Sequence, residues 1–180
     1  MTLPKEIFGE ALNAQNYGLP FQTFTAYRPA FTSWGGAMYE SELIRSCVDA
    51  RARHIMKLKP NFIGAAGERF TSSMRAGPNK YYTWSQYLYR VSSLLDVYNN
   101  VFIMPIHDPH TDKICGVWPV LPQGVELIDV NGEAWLRFNL YGGQTAALPF
   151  DECQIMTRHQ LTNDMFGESN NALDGTLELL

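Results

Sequence analysis

Four potential metal ligands lie within six residues near the middle of the chain: His107, Asp108, His110 and Asp112. Imidazole and carboxylate groups bind zinc and similar ions, and a turn can fold them onto one point. A small metal-dependent hydrolase is therefore one alternative function. The cluster also contains Pro109 and lies between two hydrophobic runs, so it fits a polar hairpin loop as well. We favour the loop, because no other part of the sequence supplies an obvious supporting ligand.

A second polar cluster near the C-terminal end combines Arg158, His159, Asn163, Asp164 and Ser169. A His and an Asp near a Ser are parts of a hydrolase site, but the sequence has no G-x-S-x-G elbow. Ser169 also lies where a helix N-cap is expected. The chain lacks the G-x-x-x-x-G-K-[ST] loop that cradles phosphates. We therefore predict no catalytic residue, no cofactor and no enzymatic activity, with the loop at His107 as the only alternative metal site.

The clearest helix signal begins at Thr83, which has the capping-box spacing to Gln86. The run that follows predicts a helix as far as Tyr98, and the pair Asn99 and Asn100 ends it. Apolar residues recur at three- and four-residue steps and predict one buried face. This predicted face consists of Trp84, Leu88, Val91, Leu95 and Tyr98.

An earlier helix is predicted near residues 39–59, with Ser41 as a plausible cap and Glu42 in the first turn. Pro60 stops it. Basic residues between 51 and 59 are read as ordinary partners of the helix dipole. Residues 61–79 are predicted to be a connecting segment. The expected buried stripe of this helix is Leu43, Ile44, Cys47, Val48, Ile55 and Leu58.

The second half of the chain is predicted to be rich in strands. Asn131 and Gly132 favour a tight hairpin turn, and Leu136 and Phe138 belong to an alternating apolar face. The predicted fold class is α+β, a mostly antiparallel sheet with hairpins packed against two or three long helices. Strand-like runs occur at residues 101–106, 114–120, 125–130, 134–141 and 154–158, with a turn at 149–151.

Two parts of the chain are distinguished by composition. Residues 1–36 form an arm rich in aromatics that docks on a neighbour or on its own domain, and residues 37–180 form an α+β body. Residues 168–180 begin another helix with no closing element, so we expect a body truncated at its C-terminal end. The aromatic residues of the arm include Phe21, Phe24, Tyr27, Phe31 and Trp34.

Composition describes a globular chain, with 46% hydrophobic and 18% charged residues. The formal net charge of −4 argues against a protein that wraps nucleic acid in Lys and Arg. Cys47, Cys115 and Cys153 are far apart and are read as reduced thiols of an intracellular protein. No run is long and apolar enough for a membrane span, and no signal peptide is recognised, so we expect synthesis in the cytoplasm.

Several short motifs, in order over residues 37–180, resemble the portal protein family of tailed bacteriophages and their prophages. Residues 46–52 resemble a family helix with a Cys-Val-x-x-x-Ala face, and residues 78–98 resemble a Pro-Asn step followed by an aromatic-rich helix. Residues 99–102 match the family's Gly-Asn-aromatic step without its glycine. Three further resemblances are an aromatic-Pro-Leu-x-Pro strand end at 117–125, a Leu-Pro-x-Asp-Glu…His element at 148–159, and Gly-x-Ser at 167–169 with Asn170 where the family often has proline.

The resemblance implies a structural subunit of a ring at one capsid vertex, usually of twelve copies. Implied partners are other copies of the chain, major capsid or scaffold proteins, the terminase motor, the head-tail connector, and double-stranded DNA that passes without sequence specificity. The chain would be the wing-like part of such a subunit and would reside in the virion. A third possibility is a monomeric binding module of a phage particle, with the aromatic surface as its contact.

Overall fold

A computed structural model describes residues 22–27, 41–108, 110–111, 113–140 and 142–168, with the backbone alone for 22–27. These residues form three α-helices and two antiparallel sheets, which confirms the α+β fold class. The helices are α1 (Glu42–Ile55), α2 (Gly67–Ser73) and α3 (Trp84–Tyr98). The strands are β1 (Gln22–Tyr27), β2 (Asn100–His107), β3 (Ile114–Val120), β4 (Gly124–Val130), β5 (Glu133–Asn139), β6 (Thr145–Pro149) and β7 (Gln154–Thr157).

The chain divides into two compact units. The sheet unit comprises Met1–Arg28 and Phe102–Gln154, and the helical unit comprises Pro29–Val101 and Ile155–Leu180. The first unit contains β1, β3, β4, β5, β6 and most of β2. The second contains the three helices and the loop that follows β7. Strand β1, which comes from the predicted aromatic arm, belongs to the sheet unit.

Helix α3 begins as its sequence predicts. The Thr83 hydroxyl accepts a hydrogen bond from the backbone N–H of Gln86, and the Gln86 side chain accepts one from the backbone N–H of Thr83. This is the complete capping box. At the other end Asn99 adopts the left-handed conformation, with φ of 57°, which asparagine tolerates better than most residues. Both predicted ends of the helix are confirmed.

The buried face of α3 differs from the predicted one. Tyr87, Val91 and Leu94 are the most buried apolar residues, whereas Leu88 and Leu95 are only half-buried. No residue from 87 to 98 is fully exposed. The helix is therefore covered on more than one side, and hydrophobic spacing alone does not single out one face when neighbours surround a helix.

Helix α1 was predicted to be longer and more buried than it is. It ends at Ile55, and the N–H groups of Lys57 and Leu58 then bond three residues back, to His54 and Ile55. This tighter turn precedes Pro60, which disfavours α conformation in the residue before it. Leu43 and Leu58 are 58% and 60% exposed, and Cys47 is also exposed.

Helix α1 packs against α3. Val48 and Ala52, one helical turn apart, are its buried residues. Beside them the Tyr89 hydroxyl on α3 donates a hydrogen bond of 2.8 Å to Asp49. Ser41 occupies the predicted N-cap position without a side-chain cap hydrogen bond. Polar contacts therefore lie beside the two buried residues of α1, whereas the sequence predicted a broad buried apolar stripe on this helix.

Residues 61–79, predicted as a connection, contain α2. Aromatic packing explains this helix: Phe62 lies 5.9 Å from Phe70 and 5.7 Å from Trp84, measured between ring centroids. The Trp84 indole N–H also donates to the Met74 carbonyl at 3.0 Å. Such aromatic pairs contribute beyond their buried area. The segment is thus held to the start of α3 by contacts that no local pattern in 61–79 reveals.

The first sheet has the strand order β1-β4-β5-β6, and all three pairings are antiparallel. Asn131 and Gly132 form the β4–β5 turn with φ of 56° and 88°, so the hairpin prediction is confirmed. Glu126 faces Arg137 across this hairpin and forms an ion pair with it. Strand β6 was not predicted as a strand. It leads into a short 3-10 helix, Phe150–Glu152, at the predicted turn.

The core of the sheet unit joins the two sheets. Leu136 and Phe138 are buried on one side of β5, as their alternation predicts, and Leu140 directly after the strand is also buried. Phe102 of β2 meets Phe138 edge to face, with 5.5 Å between ring centroids. Strand β2 pairs with β3 in an antiparallel hairpin. This aromatic pair links the β2–β3 hairpin to the larger sheet.

Several predictions fall partly outside the described residues. Of the predicted aromatic arm, residues 22–27 are described, and they pair with β4 of the same chain. Phe21, Phe31 and Trp34 lie outside the described residues, as do Asp112, Ser169 and Asn170 and the predicted helix beyond residue 168. Among the helices of the described residues, none has the length and apolar character to cross a membrane.

Candidate functional site

The loop at His107 is a hairpin turn organised by one carboxylate. An oxygen of Asp108 accepts a hydrogen bond from the backbone N–H of His110 at 2.8 Å. This bond, with a weaker contribution from Thr111, lowers the pKa of Asp108. The backbone N–H of Asp108 donates to the Lys113 carbonyl at 2.9 Å and closes the turn. Asp108 therefore acts as a turn-forming residue.

The predicted alternative metal site involves this same turn. The structure places His107, Asp108 and His110 in one loop, and Asp112 lies outside the described residues. Within the part of the chain that the structure describes, no three His, Cys, Asp or Glu side chains are arranged to hold one metal ion. The geometry of the described residues therefore gives the alternative metal site no support beyond the sequence spacing that suggested it.

The second predicted cluster is also a network of turns. Glu168 accepts a hydrogen bond from the backbone N–H of Thr162 at 2.7 Å, and its pKa is lowered chiefly by the Thr162 side chain. Asn163 accepts hydrogen bonds from the N–H groups of Met165 and Phe166. His159 has a positive φ of 52°, and its carbonyl accepts from the Glu168 N–H. These polar side chains shape the loop after β7.

That loop returns to the end of α3 and forms what we call the asparagine junction: Asn99, Asn100, Arg158 and Gly167. The Asn100 side chain makes two hydrogen bonds to Gly167, donating to its carbonyl at 2.8 Å and accepting from its N–H at 2.7 Å. The Asn99 amide donates to the Glu168 carbonyl at 2.8 Å. The Asn99 carbonyl accepts the N–H of Arg158, also at 2.8 Å.

Both asparagines are buried, with 1% and 4% of their surface exposed. A buried amide that lost its partners would cost about 1–3 kcal/mol for each unsatisfied group. The Asn100 side chain binds the backbone of Gly167, 67 residues away in the sequence, through one donated and one accepted hydrogen bond. The junction therefore couples the C-terminal end of α3 to the loop at 158–168 in one relative arrangement.

Gly167 allows this close approach. A Cβ atom at this position would lie 2.1 Å from the Arg158 carbonyl oxygen and 2.7 Å from the Asn99 carbonyl oxygen. Both neighbours are backbone atoms in the junction, so neither can swing away as a flexible side chain would. Glycine is therefore required here by the packing of two backbone segments.

An ion cluster lies beside the junction. Asp96 on α3 forms salt bridges with Arg51 of α1, at 2.7 Å, and with Arg158. The Asp96 side chain is only 8% exposed, while the two arginines remain partly in water. The two guanidinium groups compensate the hydration that the Asp96 carboxylate loses on burial. Arg158 thus contacts α3 twice, through its backbone at Asn99 and through its guanidinium at Asp96.

The other α1–α3 polar contact is centred on Asp49. Its pKa is lowered mainly by the hydrogen bond from the Tyr89 hydroxyl and further by Arg53, which lies 2.8 Å away on the next turn of α1. Both arginines of the basic run, Arg51 and Arg53, therefore have carboxylate partners within the helical unit. Arg53 and His54 lie in the last turn of α1, as predicted, and the two arginines also form specific ion pairs.

The three thiols differ in exposure and reactivity. All are free; Cys47 and Cys115 are exposed and Cys153 is buried. Burial raises the pKa of the Cys153 thiol to about 12, an effect only partly offset by a hydrogen bond from the Ile103 backbone. We expect two thiols of the native protein to react with Ellman's reagent at pH 8 at least about 100-fold faster than the third.

Stopped-flow absorbance measures these rates, and the Cys153→Ala variant should lose the slow phase alone. In guanidinium chloride all three thiols should react together, which shows that burial causes the difference. A native protein whose three thiols react at one rate would contradict the assignment of Cys153 to the core.

Sequence reasoning found Asn99 and Asn100 as a helix end but missed their contacts with the loop at 158–168, and it missed Asp96 altogether. The signal in the sequence was a charged residue, Asp96, in a helix that is otherwise largely apolar.

No protein-family model matches this sequence, and no curated protein matches it. Within the described residues, the asparagine junction and the ion cluster beside it hold backbone segments in place. Their most buried polar groups bind other parts of the same chain.

Proposed function

We propose that this chain is a structural subunit of a bacteriophage portal ring, the conduit through which DNA enters and leaves the capsid. The support is the ordered series of portal-like motifs over residues 37–180. An α+β body of helices and antiparallel hairpins suits this role, although many unrelated functions use such folds. The proposal therefore depends on the motifs and on what they do in the structure.

The asparagine junction carries the proposal. Two portal-like motifs, at residues 99–102 and 167–169, contribute the matched residues Asn100 and Gly167, which hydrogen-bond to each other. These motifs are far apart in the sequence, and each is short. Their meeting in one hydrogen-bonded network gives the two motifs a common physical reason.

The junction suits a subunit that must keep its shape. A ring that docks a packaging motor and a tail connector bears load, and a fully bonded buried polar network specifies one arrangement. The net charge of −4 suits a conduit that lets DNA pass, because each phosphate contact would add a salt-dependent grip. The proposed partners are further copies of the chain, capsid or scaffold proteins, terminase, the head-tail connector and DNA.

Absolute mass in solution tests the proposal. Light scattering on a size-exclusion column should give a closed assembly, about twelve subunits by the family resemblance, and negative-stain electron microscopy should show rings. A gene product that stays monomeric at high concentration in low salt would contradict the ring and favour a monomeric binding module.

Metal content separates the proposal from the hydrolase alternative. Elemental analysis after dialysis should find no stoichiometric zinc or manganese in the portal subunit. One tightly held metal ion per chain that His107→Ala and His110→Ala both abolish would favour the enzyme.

A further inference from the structure

The β4–β5 turn holds the only Asn-Gly pair in the sequence, Asn131 and Gly132. In such a pair the backbone nitrogen of the glycine reaches Cγ of the asparagine with little hindrance, because glycine has no Cβ. Attack at that carbon closes a five-membered ring and starts deamidation, the loss of the side-chain amide as ammonia. The pair that forms the tight hairpin therefore also has a chemical reaction of its own.

The reaction needs only hydroxide and water. Hydroxide removes the proton of the Gly132 backbone N–H, and the nitrogen then forms a bond to Cγ of Asn131. The bond from Cγ to Nδ2 breaks, and Nδ2 takes one proton from water and leaves as ammonia, which regenerates the hydroxide. A water molecule then opens the cyclic imide at one of its two carbonyls. The product at position 131 is either aspartate or isoaspartate.

The turn is open to these reactants. Asn131 and Gly132 are both exposed, and a Cβ atom placed at Gly132 would meet nothing within 4 Å. The strands pair as far as Val130 and Glu133, directly before and after the two residues. Burial and crowding therefore do not protect the pair, and exposure alone would predict fast modification.

A carboxylate holds the proton that must be removed. The Gly132 N–H donates to Oδ1 of Asp129 at 2.7 Å, and hydrogen bonds to ionised groups are among the stronger ones in proteins. The charge of Asp129 also opposes the reaction, because a deprotonated nitrogen would place a second negative charge beside it. A carboxylate is far too weak a base to take an amide proton itself. Asp129 therefore slows the attack both by binding and by repulsion.

We propose that Asn131 is a site of spontaneous deamidation that Asp129 restrains as long as the β4–β5 hairpin is folded. The positive φ angles of 56° and 88° define the turn in which the Gly132 N–H meets Asp129. This hydrogen bond must break before the nitrogen attacks Asn131. The rate then follows the opening of the turn and not its exposure. This property goes beyond the proposed function and is independent of it.

Deamidation would damage the turn in which it occurs. Isoaspartate adds one carbon to the backbone of a two-residue loop, and the length of the loop sets the register of a hairpin. Aspartate keeps that length but adds a carboxylate two residues from both Asp129 and Glu133, where like charges repel. Either product therefore weakens the β4–β5 hairpin, so the restraint by Asp129 preserves the sheet unit.

The rate of conversion at Asn131 tests the proposal, and peptide mass spectrometry follows the exchange of the amide for a carboxyl group. Folded Asp129→Ala should deamidate at least about tenfold faster than the folded wild type, because a hydrogen bond to a charged group no longer has to break. Asp129→Ser, which keeps an uncharged acceptor oxygen, should lie between them. Asp151→Ala removes an exposed carboxylate of the same unit outside the turn, and it should match the wild type.

Denaturing urea removes the turn, so the wild type and Asp129→Ala should react there at one common rate. The folded wild type should react more slowly than this. Asn131→Gln, whose side chain is one carbon longer, should show almost no conversion at this position in either condition. Circular dichroism before incubation shows which variants are folded, and if Asp129→Ala is unfolded, the comparison of Asp129→Ser with the wild type decides.

Three results would overturn the proposal. Equal rates for the folded wild type and a folded Asp129 variant would mean that the hairpin backbone, and not the carboxylate, restrains the reaction. A folded Asp129 variant that reacts more slowly than the wild type would mean that the carboxylate promotes it. A wild type that reacts as fast when folded as in urea would show no restraint at all.

Discussion

Replacing Gly167 with alanine is expected to destabilise the helical unit by about 3 kcal/mol or more. The new methyl group would lie 2.1 Å and 2.7 Å from two backbone oxygens, so the segments must separate. Separation lengthens the two hydrogen bonds between Asn100 and Gly167 and the bond from Arg158 to the Asn99 carbonyl. The loss therefore combines steric strain with partly unsatisfied buried polar groups.

Urea denaturation followed by circular dichroism measures this loss. Gly64→Ala is the matched control in the same unit, because a Cβ at Gly64 meets nothing within 4 Å although φ is +98°. It should cost only the backbone strain of a positive φ, about 1–2 kcal/mol. A loss for Gly167→Ala no larger than that for Gly64→Ala would mean that the close approach in the asparagine junction does not explain Gly167.

Phe138→Ala is expected to destabilise the sheet unit by about 3–5 kcal/mol. Phe138 has no exposed surface, and its ring packs edge to face with Phe102 on the other sheet. The truncation removes a large apolar group, leaves a cavity and breaks the aromatic contact that links the β2–β3 hairpin to the first sheet. Few substitutions in this unit remove as much buried volume at once.

Phe138→Leu serves as the control, since it keeps most of the side-chain volume and should cost less than about 1.5 kcal/mol beyond the lost ring contact. A double-mutant cycle with Phe102→Leu isolates that contact, which we expect to contribute about 0.5–1.5 kcal/mol. If Phe138→Ala shifted the urea midpoint no more than Phe138→Leu, the ring could not be the main link between the sheets.

Much of the local structure was predictable because its causes are local. Thr83 and Gln86 define the start of α3 through bonds between residues three apart, and Asn131 with Gly132 defines a turn through its own backbone preferences. The alternation in β5 predicted that Leu136 and Phe138 face inward. The α+β fold class followed from the same short-range signals.

Predictions failed where the cause lay elsewhere in the chain. The stripe predicted for α1 was largely wrong, since Leu43 and Leu58 are exposed and the buried residues of the helix are Val48 and Ala52. Helix α2 was missed because Phe62, Phe70 and Trp84 hold it by side-chain packing. A helix face is selected by its neighbours, and periodicity gives no information about their positions.

The sequence by itself determined the capping box of α3, the tight hairpin and the fold class. The tertiary structure decided the asparagine junction, in which Asn100 bonds a glycine 67 residues away and Asp96 binds Arg51 and Arg158. A cap depends on residues within one turn, whereas these contacts exist only after distant segments have come together. Asn99 and Asn100 show both cases, because their position as a helix end is local and their role in the junction is not.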